Sequence, residues 1–163
     1  MADSEIKRYI EEKYKEEEIL EDYVFSQCRN LAEIIIPTNL TRIDAGAFYN
    51  CVKLNNITIP AVVTNIDTSS LYGCANLTNV TIDSENEVYE IDGEQPGIIY
   101  KKENGVRISL IMLAPMANEE TVKISEGITE LGLSALSICT NMKTLELPSS
   151  LSSIEGSAFD GLR

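Results

Sequence analysis

A chain of 163 residues with 44% hydrophobic and 24% charged side chains is long enough for one domain with a buried core. Its 26 acidic residues outnumber 13 Lys and Arg, giving a formal charge of −13, which argues against nucleic acid or an anionic membrane as partner. There is no histidine, so imidazole bases, triads built on them and most zinc sites are excluded, and four cysteines are left to explain.

The N-terminus, Met1-Ala2-Asp3-Ser4-Glu5-Ile6-Lys7-Arg8, is polar and has no apolar h-region behind it, as a secretory signal would need. No stretch approaches the roughly 18 consecutive apolar residues of a membrane span. As written, the chain is expected to be cytoplasmic and to insert in no membrane. A piece cut from a secreted or cell-surface protein would read the same and would belong at that surface. Residues 4–20 predict an acidic helix, with Asp3 or Ser4 as N-cap and Ile6, Ile10 and Tyr14 on one face. We assign residues 1–22 as an N-terminal helical cap; the alternative is an amphipathic helix that binds a partner.

The chain then repeats. Cys28, Cys51 and Cys74 are spaced by 23 and 23 residues, and Cys139 follows after 65. Each opens the same phrase: CRNLAEIII, CVKLNNITI, CANLTNVTI and CTNMKTLEL. Three residues before each Cys stands Phe25, Phe48, Leu71 or Leu136, and Phe159 lies 23 beyond the last. Ile43, Ile66, Leu131 and Ile154 form another column. The alternation of Ile34 with Ile36, Ile57 with Ile59, and Leu145 with Leu147 is the period of a strand with one face buried, and Pro37, Pro60 and Pro148 end it. Ala47-Phe48-x-x-Cys51 is spaced i to i+3 and predicts one helical turn. A single repeat cannot bury its own apolar face, so successive repeats must stack and the terminal ones need covers.

The phrase Ile43-x-x-Gly46-Ala47-Phe48-x-x-Cys51-x-x-Leu54-x-x-Ile57-x-Ile59-Pro60 resembles the BspA-like, Treponema-type leucine-rich repeat family, and the likeness covers roughly residues 21–163. The resemblance implies an α/β, right-handed leucine-rich repeat solenoid of 23-residue repeats, here over residues 23–163. It also implies adhesion or protein binding at a cell surface.

Between Val80 and Val122 the strand column advances by 42 residues, and no Ala-Phe-x-x-Cys phrase intervenes. Short β-rich runs at 88–93, 97–101 and 107–113 are separated by Asp-Gly, Pro-Gly and Asn104-Gly105, which are hairpin signals. An irregular hairpin-bearing repeat is expected over about 83–121, with strands in place of the helical turn. Two roles fit it: a spacer that sets solenoid curvature, or a protruding binding element.

The acidic run from Asp83 to Glu94 has carboxylates at alternate positions but Val88 where a calcium loop needs glycine, and it reads as a solvated turn. The cysteines lack zinc-knuckle spacing. Helical turns packed roughly 8–10 Å apart would hold them beyond the ~7 Å reach of a disulfide, so a column of buried free thiols is expected. No nucleophile, base and oxyanion donor assemble. The chain is expected to be non-enzymatic and to need no cofactor or metal.

Solenoids of this kind bind through the outward side chains of their stacked strands. Here those are Glu33, Ile35, Asn56, Thr58, Asn79, Thr81, Thr121, Lys123, Thr144 and Glu146, expected to form one continuous polar face for a protein partner. The alternative is a structural segment of a larger adhesin-like surface protein with no binding site of its own. The last repeat breaks off at Phe159-Asp160-Gly161-Leu162-Arg163, and this open end is expected to self-associate into a homo-oligomer.

Overall fold

A computed structural model describes residues 3–95, 97–113, 120–133, 135–136 and 142–160. One helix, α1 (Asp3–Lys13), precedes β1 (Ile19–Leu20), β2 (Glu33–Ile35), β3 (Arg42–Ile43), β4 (Asn56–Ile59), β5 (Asn65–Ile66) and β6 (Asn79–Ile82). An irregular stretch follows with β7 (Tyr89–Ile91), β8 (Ile98–Glu103) and β9 (Val106–Leu113). The coils then resume as β10 (Thr121–Lys123), β11 (Glu130–Leu131), β12 (Thr144–Glu146) and β13 (Ser153–Ile154).

The fold is a solenoid in which residues 23 apart pair in register. Ile34 lies beside Ile57 and Ile57 beside Val80 in the parallel sheet β2-β4-β6. Leu20, Ile43 and Ile66 do the same in β1-β3-β5. A third ladder joins the turns: Phe25 N donates to Ala47 O (2.9 Å), and Phe48 N to Ser70 O (2.8 Å). Each coil thus satisfies its backbone on the next, which a short segment cannot do alone.

α1 is shorter than the sequence suggests. Ile6, Ile10 and Tyr14 are buried as expected, but the chain leaves the helix after Lys13. Leu20 stands 23 residues before Ile43 and takes the first place in that strand column, so residues 19 and 20 are strand. Asn39 fixes the turn between helix and strand, donating its Nδ2 to Tyr14 O at 2.8 Å and to Glu17 O at 2.5 Å. The Ala-Phe-x-x-Cys segment is likewise a run of tight turns, not a helical one: Tyr49 N donates to Gly46 O (2.8 Å) and Cys51 N to Phe48 O (3.1 Å). Gly46 and Asn50 have φ of 59° and 56°, which stops right-handed winding on both sides of Phe48. A Cβ on Gly46 would collide with the Tyr23 ring, so this position needs glycine for space as well.

The spacing argument for free thiols fails, although Cys28, Cys51 and Cys74 are indeed free. Coils joined by backbone hydrogen bonds lie about 4.8 Å apart, not at helix-packing distance. What directs the thiols is an acceptor. Phe25 O receives both Cys28 N (3.1 Å) and Cys51 Sγ (3.1 Å), and Phe48 O receives Cys51 N (3.1 Å) and Cys74 Sγ (3.2 Å). Burial pushes the Cys51 and Cys74 thiols up to about 12, so they remain S–H donors. Cys139 lies outside the described residues.

The irregular stretch is a partition, not a protrusion. β7-β8-β9 is an antiparallel meander, closed between β8 and β9 by Asn104-Gly105, both at positive φ (51° and 76°), as a two-residue hairpin turn requires. Along β8 and β9, Ile99 and Ile111 enter the N-terminal core with Phe48, Ile57 and Leu71, whereas Ile98, Tyr100 and Leu110 enter the C-terminal core with Val122, Ile128 and Leu131. Burial on both faces explains the consecutive apolar residues Ile98-Ile99-Tyr100 and Leu110-Ile111 within these strands. β9 also restarts a ladder: it pairs parallel with β11, and β11 with β13, aligning Leu110, Leu131 and Ile154.

Where the wall interrupts the ladders, side chains stand in for missing strands. The Tyr89 hydroxyl accepts Ile66 N (2.8 Å). The Gln95 amide accepts Lys123 N (3.1 Å) and donates to Lys123 O (2.7 Å), reproducing a strand's pair of bonds on the edge of β10. The Tyr100 hydroxyl accepts Ser125 N (3.1 Å). Buried Asn86 donates to Pro60 O (2.9 Å) and Val63 O (3.0 Å).

Candidate functional site

The outward side chains of β2, β4 and β6 share one face, since alternate strand residues point the same way. Glu33, Ile35, Asn56, Thr58, Asn79 and Thr81 all lie on it. They form rows along the solenoid. Asn79 Nδ2 donates to Asn56 Oδ1 (2.8 Å), and the Thr58 and Thr81 hydroxyls bond to each other at 2.9 Å. Such cross-strand pairing holds the rotamers and leaves a flat polar surface. At the N-terminal end of the Thr row stands Ile35, 67% exposed.

Thr121, Lys123, Thr144 and Glu146 lie on a separate two-stranded sheet, β10-β12. Thr121 pairs with Thr144 and Lys123 with Glu146, whose charges approach to 4.0 Å while both are exposed. The strands expected to carry one continuous face therefore belong to two separate hydrogen-bonded sheets. β7 to β9 lie between them in the chain and break the first-strand ladder, because their own strands run antiparallel and feed the second-strand ladder.

A second row, missed by the sequence reading, lies on the turn side. Tyr49 and Tyr72 stack at 5.4 Å with an interplanar angle of 7°, and Tyr23 meets Tyr49 edge-on at 6.3 Å. Tyr23 is 56% exposed and sits at φ 54°. The 23-residue interval between Tyr49 and Tyr72 was the available signal.

Asp83, Glu90 and Asp92 of the acidic run are used by the structure, and Glu85, Glu87 and Glu94 are exposed. Asp83 Oδ1 accepts Glu85 N (2.9 Å), and Asp92 Oδ1 accepts Glu94 N (2.8 Å) and Gln95 N (3.0 Å). Arg107 bonds Glu90 and Asp92 (2.9 Å to the latter) and lies over the Tyr100 ring at 4.7 Å. Burial works against ionisation of Asp92, but the Gln95 and Glu94 amides and the Arg107 charge outweigh it and hold its carboxyl below the usual range. Among the described residues no cluster of His, Cys, Asp and Glu could hold a metal, and no helix is long and apolar enough to cross a membrane.

Comparison with known proteins matches the repeated columns to a family. Residues 13–94 and 107–163 match the BspA type leucine-rich repeat region, in six copies. The chain belongs to this family. The gap in the match, 95–106, falls on the β8 hairpin, where the repeat is replaced. Similar solved structures share the fold. A leucine-rich cell surface protein from Faecalibacterium prausnitzii is 27% identical with a TM-score of 0.76, over 86% of this chain and 36% of that one. A leucine-rich repeat protein from Eubacterium ventriosum is 17% identical with a TM-score of 0.66, over 89% and 49%. The pneumococcal vaccine antigen PcpA is 17% identical with a TM-score of 0.50, over 81% and 49%. This BspA-type chain thus spans about a third to a half of the length of those structures. No curated protein matches it.

Proposed function

We propose that this BspA-type solenoid is a non-enzymatic interaction scaffold that contacts a protein through the face of β2, β4 and β6, at a cell surface. The observation that carries the reading is the pair of bonded rows, Asn56 with Asn79 and Thr58 with Thr81, ending at exposed Ile35. Pre-ordered polar side chains lose little rotamer freedom when a partner docks. Lys123, Thr144 and Glu146 would form a second, smaller contact on β10 and β12. The cell-surface placement is supported by the similarity to the Faecalibacterium surface protein. Thr58→Glu with Thr81→Glu puts two like charges side by side on the flat face. Partner captured by photo-crosslinking from Asn56 or Asn79 should fall at least tenfold in this double variant; undiminished capture would sink the reading.

Self-association belongs to the same proposal. Leu147, Ile154 and Phe159 are 44%, 46% and 39% exposed, although Ile36, Ile43 and Phe48 in the same columns are buried. Two copies of this chain would meet through these exposed side chains, each continuing the apolar columns of the other. Light scattering should give a dimer that Ile154→Lys dissociates. A monomer at hundreds of micromolar would count against it.

A further inference from the structure

We propose that the cleft between α1 and the open edge of β2 receives an extended, uncharged segment of a partner polypeptide, which joins β2 as an additional parallel strand. Among the described residues β2 pairs on one side only, with β4. The parity of that ladder is fixed by two bonds, Ile36 N to Thr58 O and Asn56 N to Ala32 O, both 3.4 Å. Residues 32, 34 and 36 therefore turn their peptide groups toward β4, and Glu33 and Ile35 turn theirs away. On that far side a preceding coil would place a strand about Glu11, 23 residues before Ile34; the chain has α1 there instead. A helix has its own backbone bonds and offers none to an adjacent strand.

The space beside the edge is large enough for a chain. A cleft of about 650 Å³ runs along residues 33–39 and beneath α1, with Ile10, Tyr14 and Pro37 among its lining. This volume lies within the usual range of occupied binding clefts. Its rim carries Lys7 and Lys15 against Glu11 and Glu33, so neither sign prevails and an uncharged segment fits best. Lys7 and Glu33 span the mouth at 3.9 Å, both well exposed, a pair weak enough to open. The apolar member of the Ile35, Thr58, Thr81 row is the one beside this edge, where an incoming strand would place a side chain next to it and cover it. Main-chain bonds to Glu33 and Ile35 would supply affinity, and the residues beside Ile35 and over Ile10 and Tyr14 would supply preference for alternate apolar side chains.

The probe is a terminally capped peptide carrying a neutral fluorophore and copying residues 54–60, Leu54-Asn55-Asn56-Ile57-Thr58-Ile59-Pro60, which contains the strand β4 of this type in the chain itself. Anisotropy should report binding to the full chain, and amide exchange should show Glu33 and Ile35 slowed on its addition. The same peptide N-methylated at Asn56, Ile57 and Thr58 should bind at least tenfold more weakly. Ile35→Pro removes an N–H that β4 does not use, and should weaken the unmodified peptide tenfold or more while β4 exchange stays as in the parent. Thr58→Glu with Thr81→Glu should leave peptide binding intact, which separates this edge from the strand face. No binding at millimolar peptide, equal binding of the methylated peptide, or protection at Lys123 or Glu146 in place of Glu33 and Ile35 would each overturn the proposal. So would Glu33 and Ile35 amides already slow without peptide, because the edge would then be filled.

Discussion

Asn86→Ala is expected to lower the unfolding free energy by about 3–4 kcal/mol, read from urea denaturation. The side chain is buried, and its amide is used in full. Nδ2 donates to Pro60 O and Val63 O, and Oδ1 accepts Val88 N (2.9 Å) and Tyr89 N (2.7 Å). One hydrogen bond contributes about 1 kcal/mol net, but a buried group stripped of its partner costs about 1–3 kcal/mol. Alanine strips four such groups at once, and entry of water limits the damage to less than their sum. Asn86→Asp should be no milder, because a carboxylate cannot donate to the two carbonyls and is itself costly to bury. A loss under 1 kcal/mol for Asn86→Ala would show that this amide does not secure the junction between the regular coils and the hairpin.

Phe48→Ala should be at least as damaging, about 3–5 kcal/mol, from the loss of a large buried side chain and the cavity left behind. Phe48 lies in the middle of the N-terminal core and stacks on Phe25 at 5.7 Å with an interplanar angle of 14°. Its carbonyl also receives Cys51 N and Cys74 Sγ, so a shift of this turn loosens the next coil as well. Phe48→Leu is the informative control. Leu71 fills the same column in the following coil and is buried there, so leucine should cost no more than about 1.5 kcal/mol. Thermal melts of the two variants that coincide would mean that the column does not depend on filled volume.

These effects bear on what could be read from the chain before its structure. The columns of Phe48, Cys51, Ile57 and Ile66 were legible because a solenoid repeats one environment every 23 residues, so the same side-chain type recurs wherever the environment does. Strand ladders and strand-ending prolines followed from that, and the buried face of α1 from the four-residue spacing of Ile6, Ile10 and Tyr14. The end of α1 was not legible, because Ile19 and Leu20 continue an apolar pattern that suits helix or strand, and only pairing with Arg42 and Ile43 decides it. Asn86, Gln95, Tyr89 and Tyr100 were missed for a related reason. Each acts once, at a break in the repeat, and a group used once leaves no period. The outward positions of the candidate face followed from alternation, but its division into two sheets depends on where β7 to β9 pass. The open edge of β2 was hidden for the same cause: an absent neighbour has no sequence.

The wall formed by β8 and β9 has a consequence for how stability is shared. In an uninterrupted array each coil is held by both neighbours, and loss of one propagates along the stack. Here the two cores meet through opposite faces of the same pair of strands, Ile99 and Ile111 on one side, Ile98, Tyr100 and Leu110 on the other. Fraying that begins at Ile154 can run back through β11 and stop at β9, since the cross-strand bonds of the hairpin do not depend on β11 or β13. The meander is therefore expected to act as a firebreak, with β11 and β13 able to open while the coils that carry the Asn and Thr rows stay closed.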